Sequence, residues 1–265
     1  MPAFVIPDSR RVMSWTELPG PGVPILALPG IAMPGAPGLV PVFAQAPLRG
    51  HAAILPDLPG TGGSEALASH DMPALARAIA ALLDHLGVGA VPVFGHSLGG
   101  TVAIELARLR PDLVSRLIVA EGNLTPGGGA ATRAIAGVPL ADFLATGFEA
   151  AQAKRRAAAE AGDATAAYLF AGRAQSDPRA LHETASALVD LDPTTEVDFL
   201  SMTLARTFLY GARSLPGNAR QAGPDTPDPA RLAAHGIVTD IVAGAGHLMP
   251  FDAPADTARA VAAHL

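Results

Sequence analysis

The run Phe94-Gly95-His96-Ser97-Leu98-Gly99-Gly100 sets a serine between two glycines at the spacing Gly-x-Ser-x-Gly. Before it, Val91-Pro92-Val93-Phe94 has the apolar character of a buried strand; after it, the spacing from about Leu98 to Arg110, closed by Pro111, predicts a helix. A strand that turns into a helix around one residue strains that residue's backbone and tolerates only small neighbours. The hydroxyl is then presented at the tip of the turn, beside free helix N–H groups that favour developing negative charge. A serine hydroxyl is a weak nucleophile until a base removes its proton, so this reading calls for a histidine elsewhere in the chain.

In this setting GHSLGG resembles the nucleophile elbow of the α/β-hydrolase superfamily, and the resemblance covers nearly the whole chain outside a helical stretch after residue 124. Leu55-Pro56-Asp57-Leu58-Pro59-Gly60-Thr61-Gly62-Gly63-Ser64 is similar to the family's D-x-x-G-x-G-x-S loop, and Gly244-Ala245-Gly246-His247 to its terminal G-x-G-H loop. The resemblance implies Ser97 as nucleophile and, from the chain order serine, acid, histidine, His247 as base. His247 is also the one histidine of eight that follows a predicted strand in a glycine-rich loop near the C-terminus. His51 and His85 read as packing or surface residues, and His96 is expected to point away from the serine. A tetrahedral intermediate needs two N–H donors. Leu98 should supply one and Ile31, in Leu28-Pro29-Gly30-Ile31-Ala32, the other. Relatives usually begin that loop His-Gly; Pro29-Gly30 departs from this while keeping the backbone donor.

The acid is where the chain departs furthest. Most members of the superfamily carry it after the strand that here reads TFLYG, as Gly-x-x-Asp, whereas this chain has Gly211-Ala212-Arg213-Ser214. Serine does not hold the negative charge that orients an imidazole and stabilises imidazolium. Some members place the acid one strand earlier, and there Leu117-Ile118-Val119-Ala120 ends on Glu121. Adjacent strands lie about 5 Å apart, so a glutamate reaches the same histidine. Asp225 and Asp228, in the loop after TFLYG, are the alternatives; Asp240 lies inside the last predicted strand.

These residues imply acyl transfer to water through an acyl-serine. The expected substrate is a small, mostly apolar carboxylic ester or lactone. Amide or C–C hydrolysis, perhydrolysis, hydroxynitrile-lyase-like chemistry and a non-catalytic small-molecule receptor are alternatives. Met33, Leu98 and the lid residues Phe143, Leu144, Phe148, Tyr168, Leu169 and Phe170 are candidates to line the pocket. No metal or dinucleotide motif occurs, and no cofactor is expected.

The elements that must hold these residues alternate. Short strands at Phe4-Val5-Ile6 and Arg11–Trp15 precede apolar runs at Pro24–Leu28 and Ala52–Leu55. A helix over Asp71–Leu86 carries Leu75, Ile79, Leu82 and Leu83 on one face and stops at Gly87. Strand character returns at Arg116–Ala120, Thr207–Tyr210 and Gly236–Ala243, before a last helix over Ala253–Leu265. This order predicts an α/β fold: a mainly parallel sheet covered by helices on both faces. Residues 1–124 and 202–265 form its core. Residues 125–201 form a helical cap or lid, with helices near 141–161, 164–171 and 178–189 and a flexible hinge at Gly127-Gly128-Gly129.

Composition agrees with one such unit. The 265 residues are 49% hydrophobic, which supplies a sizeable core. Eighteen Lys and Arg against 24 Asp and Glu, with no basic block, argue against a nucleic-acid partner. Zero cysteines exclude disulfides, thiolate metal sites and a cysteine nucleophile. No apolar run reaches the roughly 18 residues of a membrane span, and MPAFVIPDSRR lacks a secretory h-region, so a cytoplasmic protein without membrane partners is expected.

Overall fold

The computed structural model describes residues 1–215 and 226–265. Among them, eight strands form one sheet: β1 (Ala3–Val5), β2 (Val12–Leu18), β3 (Ile25–Leu28), β4 (Ala53–Pro56), β5 (Val91–His96), β6 (Val114–Ala120), β7 (Ala205–Gly211) and β8 (Val238–Val242). Their spatial order is β1-β2-β4-β3-β5-β6-β7-β8. The β1–β2 and β2–β4 pairs are antiparallel and the rest of the sheet is parallel.

The continuous apolar runs fold as strands because both of their faces are covered. Leu26, Leu28, Val93, Leu117 and Val119 pack with α2 (Met72–Leu86) and α3 (Leu98–Leu109) on one face. Their neighbours Ile25, Ala27, Phe94, Ile118 and Leu209 pack on the other, with α1 (Gly35–Phe43) and the terminal α12 (Pro254–Ala263). The period of two thus sorts one run of residues into two cores. In α2 the Asp71 carboxylate caps the Ala74 N–H and Gly87, at φ 63°, takes the left-handed conformation that ends the helix.

Helix α1 has no clear signal in the sequence. Pro34 precedes it, and Pro41 lies inside it. It forms because Leu39, Val42 and Phe43 bury against the sheet, a tertiary gain that outweighs poor propensity. Asp57 fixes its start. That buried carboxylate accepts from the Gly35 N–H (2.8 Å), the Gly63 N–H (2.9 Å) and Ser14 Oγ (2.9 Å). The D-x-x-G-x-G-x-S loop is therefore a structural tie between β2, β4 and α1.

After β6 the chain runs through α4 (Ala130–Ala136), α5 (Leu140–Asp142), a π-helical turn (Phe143–Gly147), α6 (Phe148–Glu160), α7 (Ala164–Arg173), α8 (Pro178–Val189) and α9 (Thr195–Ser201). The short α4 and α9 add to the three expected helices. The glycine triplet is held in place: Gly127 N–H donates to Val189 O (2.8 Å), the Arg133 guanidinium bonds the Gly127 and Gly128 carbonyls, and Gly129 opens α4. The expected hinge is thus tied to α8, because its backbone groups find partners within the insertion.

The insertion is fastened to the core by backbone bonds from Asp177 N–H to Gly60 O and from Gly62 N–H to Gln175 O, both 2.8 Å. A side-chain bond reinforces them. Leu67 N–H donates to His70 Nε2 (3.1 Å), so the proton lies on Nδ1 and is given to Glu183 of α8 (2.8 Å). The chain ends with α10 (Pro229–Ala234), β8, α11 (Met249–Asp252) and α12. Among the described residues no single helix is long and apolar enough to cross a membrane.

A Cβ added at Gly99 would lie 2.3 Å from Leu28 O, where the first turn of α3 meets β3. Gly99→Ala is expected to destabilise the fold by about 1–3 kcal/mol, as overpacking of a tight site does. Urea denaturation checks it; an unchanged midpoint would show that the turn can move aside.

Candidate active site

Register delivers the first two residues of the site. His96 of β5, Ala120 of β6 and Leu209 of β7 stand side by side in one row across the sheet. Ser97 and Glu121 are each one step beyond that row. Ser97 N–H donates to Ala120 O (2.8 Å) and Glu121 N–H to Leu209 O (3.1 Å), so each is held as its strand ends. Both turn with a positive φ, 52° at Ser97 and 54° at Glu121. Ala32, in the loop after β3, has φ 57°. Of the four described non-glycine residues with positive φ, three surround this one point. Strain of this kind persists where the surrounding structure over-determines it, and it concentrates at functional sites.

The loop after β8 brings the histidine. Ser97 Oγ lies 3.0 Å from His247 Nε2, and His247 Nδ1 lies 3.4 Å from Glu121 Oε2. The second Glu121 oxygen accepts from the Gly211 N–H at 2.7 Å. The imidazole is half exposed, whereas the Glu121 side chain is 8% exposed. Burial pushes the Glu121 carboxyl up, but hydrogen bonds from His247 and Gly211, the His247 charge and the Ser214 side chain outweigh it. The carboxyl is held below its ordinary value and is ionised at neutral pH. Ser214, where the sequence resemblance leads one to expect an aspartate, here supports the Glu121 carboxylate.

The loop bearing His247 is clamped from two sides. Asp252 accepts from the Gly246 N–H (2.9 Å) and pairs with Arg213 (2.6 Å). From the elbow, His96 Nε2–H donates to the His247 carbonyl at 2.6 Å. His96 therefore does not turn away from the site as the sequence suggests. Its ring lies between Gly30 and His247, because the elbow leaves a buried space there and the carbonyl offers an acceptor. Nothing in the sequence around His96 signals this partner, which lies 151 residues away.

Gly30 lies against His96 and Ser97, which sets Ile31 beside the serine. Ile31 and Ser97 line the same two cavities, and Leu98 opens α3 directly after the serine. Among the described residues neither the Ile31 nor the Leu98 N–H donates a hydrogen bond, which leaves both free for a substrate oxygen. The alternative acids are not gathered here. Asp228 caps α10 through the Ala230 N–H (3.0 Å), Asp240 pairs with His264 (3.1 Å), and Asp225 lies outside the described residues.

Two cavities meet at Ser97 and His247. One of about 240 Å³ is mainly apolar, lined by Met33, Leu39, Tyr168 and Leu169, with Arg173 at its wall. The other, about 490 Å³, is more polar and contains Glu121, Asn123, Thr165, Arg213 and Ser214. Met33 and Tyr168 thus lie where the sequence suggests, with Tyr168 stacked on Phe251 (4.6 Å between centroids). Phe143 and Phe148 line neither cavity. The π-helical turn beginning at Phe143 packs that ring among Ile135, Leu181 and Ala185, edge-on to Phe148. Their role is packing, because the insertion needs an apolar core of its own.

Burial, followed by the charge of nearby His247, pulls the His96 imidazole down to about 4 from 6.5. The unfolded chain takes up this proton near pH 6.5 and the folded chain does not. Stability is therefore fully present above the unfolded value and is lost as pH falls from about 6.5 towards 4. His96→Gln, which cannot titrate, is expected to flatten that part of the stability–pH curve, read from melting temperatures at pH 7.5 and 4.5. Equal losses in variant and wild type would rule out His96 as the source.

Comparison with known proteins agrees with this architecture. The α/β hydrolase fold family matches residues 23–211. The chain is 50% identical over 64 residues to the lipase LipV of Mycobacterium tuberculosis, a match covering 24% of each chain. The first curated relatives are matched over only 24% to 40% of their own length. Among solved structures, a thermophilic esterase from Thermogutta terrifontis superposes with a TM-score of 0.74 at 19% identity, covering 95% of this chain and 92% of that one. The N-acyl homoserine lactonase AidH, complexed with N-hexanoyl homoserine, superposes with a TM-score of 0.73 at 21% identity over 99% and 95%. Sheet order, strained elbow and family match together place this chain in the α/β-hydrolase fold family.

Proposed function

We propose that this chain is a serine hydrolase that cleaves a small carboxylic ester or lactone through an acyl-serine intermediate. The observation that carries the reading is the unbroken line from Ser97 Oγ through both nitrogens of His247 to Glu121. The similarity to a lipase, an esterase and a lactonase supports the same reaction class.

In this reading Ser97 Oγ attacks the substrate carbonyl carbon and its proton passes to His247 Nε2. Glu121, anionic at Nδ1, stabilises the imidazolium and fixes the tautomer. The Ile31 and Leu98 N–H groups receive the oxyanion. Collapse breaks the bond to the leaving oxygen, which takes the proton from Nε2. Water then attacks the acyl-serine by the same route in reverse roles, and the acid departs. The acyl arm stays bound through both steps and fits the smaller apolar cavity. The leaving group, and the water that follows it, fit the wider polar cavity beside the half-exposed imidazole. The insertion acts as a cap, with α7 and α4 roofing both cavities.

Release of p-nitrophenol from a chain-length series of acyl esters tests the reading. Wild type is expected to turn over, Ser97→Ala to show only background, and Glu121→Gln to lose about 10³–10⁴-fold in kcat with its fold intact. Near-normal turnover by Glu121→Gln would remove Glu121 from the reaction. Activity retained in Ser97→Ala would remove the acyl-serine. In ¹⁸O-water the released acid should carry one labelled oxygen; a product without label would favour lyase chemistry.

A further inference from the structure

The apolar cavity contains one residue that an apolar acyl chain does not need. Arg173 closes α7 and lines that cavity together with Ser97, His96 and His247. Its exposure is 6%. Among the described residues its guanidinium makes no hydrogen bond and no ion pair, while the other two arginines near the serine are occupied. Arg213 pairs with Asp252, and Arg133 bonds the Gly127 and Gly128 carbonyls. Burial lowers the Arg173 guanidinium to about 10, and the charge acting on it is that of a second cation, Arg155. The group therefore stays charged at neutral pH without an acidic neighbour.

A buried cation without a partner costs stability, and such groups are rarely kept unless something pairs with them. The position is also tightly held. A Cβ at the preceding Gly172 would lie 2.6 Å from Met33 Cε and 2.7 Å from Ala32 O, so this end of α7 rests on the same loop that carries Ile31. The helix end that carries Arg173 is thus held against the loop whose Ile31 N–H would receive the reacting carbonyl oxygen. Its planar fork matches a carboxylate with two parallel hydrogen bonds.

We propose that Arg173 binds a carboxylate at the far end of the acyl group, so that the natural substrate is the half-ester of a dicarboxylic acid or the lactone of a hydroxy-dicarboxylic acid. This assignment rests on the serine hydrolase reading above and names its substrate class. The bonds made and broken are those of that reaction; the carboxylate is bound and takes no part in them.

The test compares p-nitrophenyl hexanoate with its ω-carboxylate counterpart, the mono-p-nitrophenyl ester of adipic acid, corrected for spontaneous hydrolysis. Wild type should favour the carboxylate ester in kcat/KM, and Arg173→Met should lower that preference about 10- to 100-fold, the span of a charged hydrogen-bonded contact. Arg173→Lys should keep part of it. Equilibrium binding of adipate and of hexanoate to Ser97→Ala, with and without Arg173→Met, gives a readout that needs no turnover. Loss of adipate affinity specifically in the double variant supports the carboxylate site even if neither ester is hydrolysed, a result that would overturn the hydrolase reading alone. Thermal melting adds a third arm: without ligand, Arg173→Met should melt higher than wild type because an unpaired charge has been removed. An unchanged ester preference with unchanged adipate binding, or a lower melting temperature, would overturn the assignment.

Discussion

The site depends on one carboxylate held between two strands. Glu121 leaves β6 and reaches past β7, with one oxygen on the Gly211 N–H and the other towards His247. The bond to Gly211 is a partly buried, charge-assisted one that ties the end of β6 to the end of β7, and it gives the carboxylate a fixed direction. The imidazole then has one orientation in which Nδ1 meets an anion and Nε2 meets Ser97. The loops carrying Ser214 and His247 are arranged around that direction. Ser214, after the end of β7, supports the same carboxylate with its side chain.

The sheet makes this arrangement rigid. Parallel strands β5 and β6 end in one row beside Leu209 of β7, and each of the two ends turns sharply because the next residue is held by a backbone bond to its neighbouring strand. The positive φ values at Ser97 and Glu121 are consequences of that geometry. Glycines at 95 and 99 let α3 approach the sheet: a Cβ at Gly95 would lie 2.3 Å from Gly99 O, and one at Gly99 would meet β3. The strain falls on the residues that must project into the cavity, and the core on both sheet faces holds it there.

The insertion contributes differently to the two cavities. Its α7 supplies Tyr168, Leu169 and Arg173 to the apolar side, and α4 and the first turn of α7 supply Ala130, Thr132 and Thr165 to the polar side. It sits on the core through paired backbone groups and the His70–Glu183 bond. An apolar cluster around Phe143 gives it internal cohesion. The shape of both cavities accordingly depends on how α7 is placed, and α7 rests on the loop that follows β3.

Much of the core and of the candidate site was legible in the sequence for local reasons. The alternation of apolar runs and helical periods indicated the parallel sheet, the Gly-x-Ser-x-Gly turn indicated Ser97, and a charged residue ending an apolar strand indicated Glu121. The glycine-rich loop after the last strand indicated His247. These signals are local because strand burial, turn geometry and helix capping act over a few residues. What depended on residues far apart was decided by tertiary structure. Helix α1 formed against its own prolines because the sheet offered an apolar face. Phe143 and Phe148 went to packing because the insertion needed a core, and the glycine triplet was fixed by Val189. His96 found a carbonyl 151 residues away. Arg173 reads in sequence as one more arginine at the end of a helix; only packing α7 onto the Ala32–Met33 loop buries it beside the serine, because burial and the absence of a counter-charge are properties of the assembled surfaces and not of the chain.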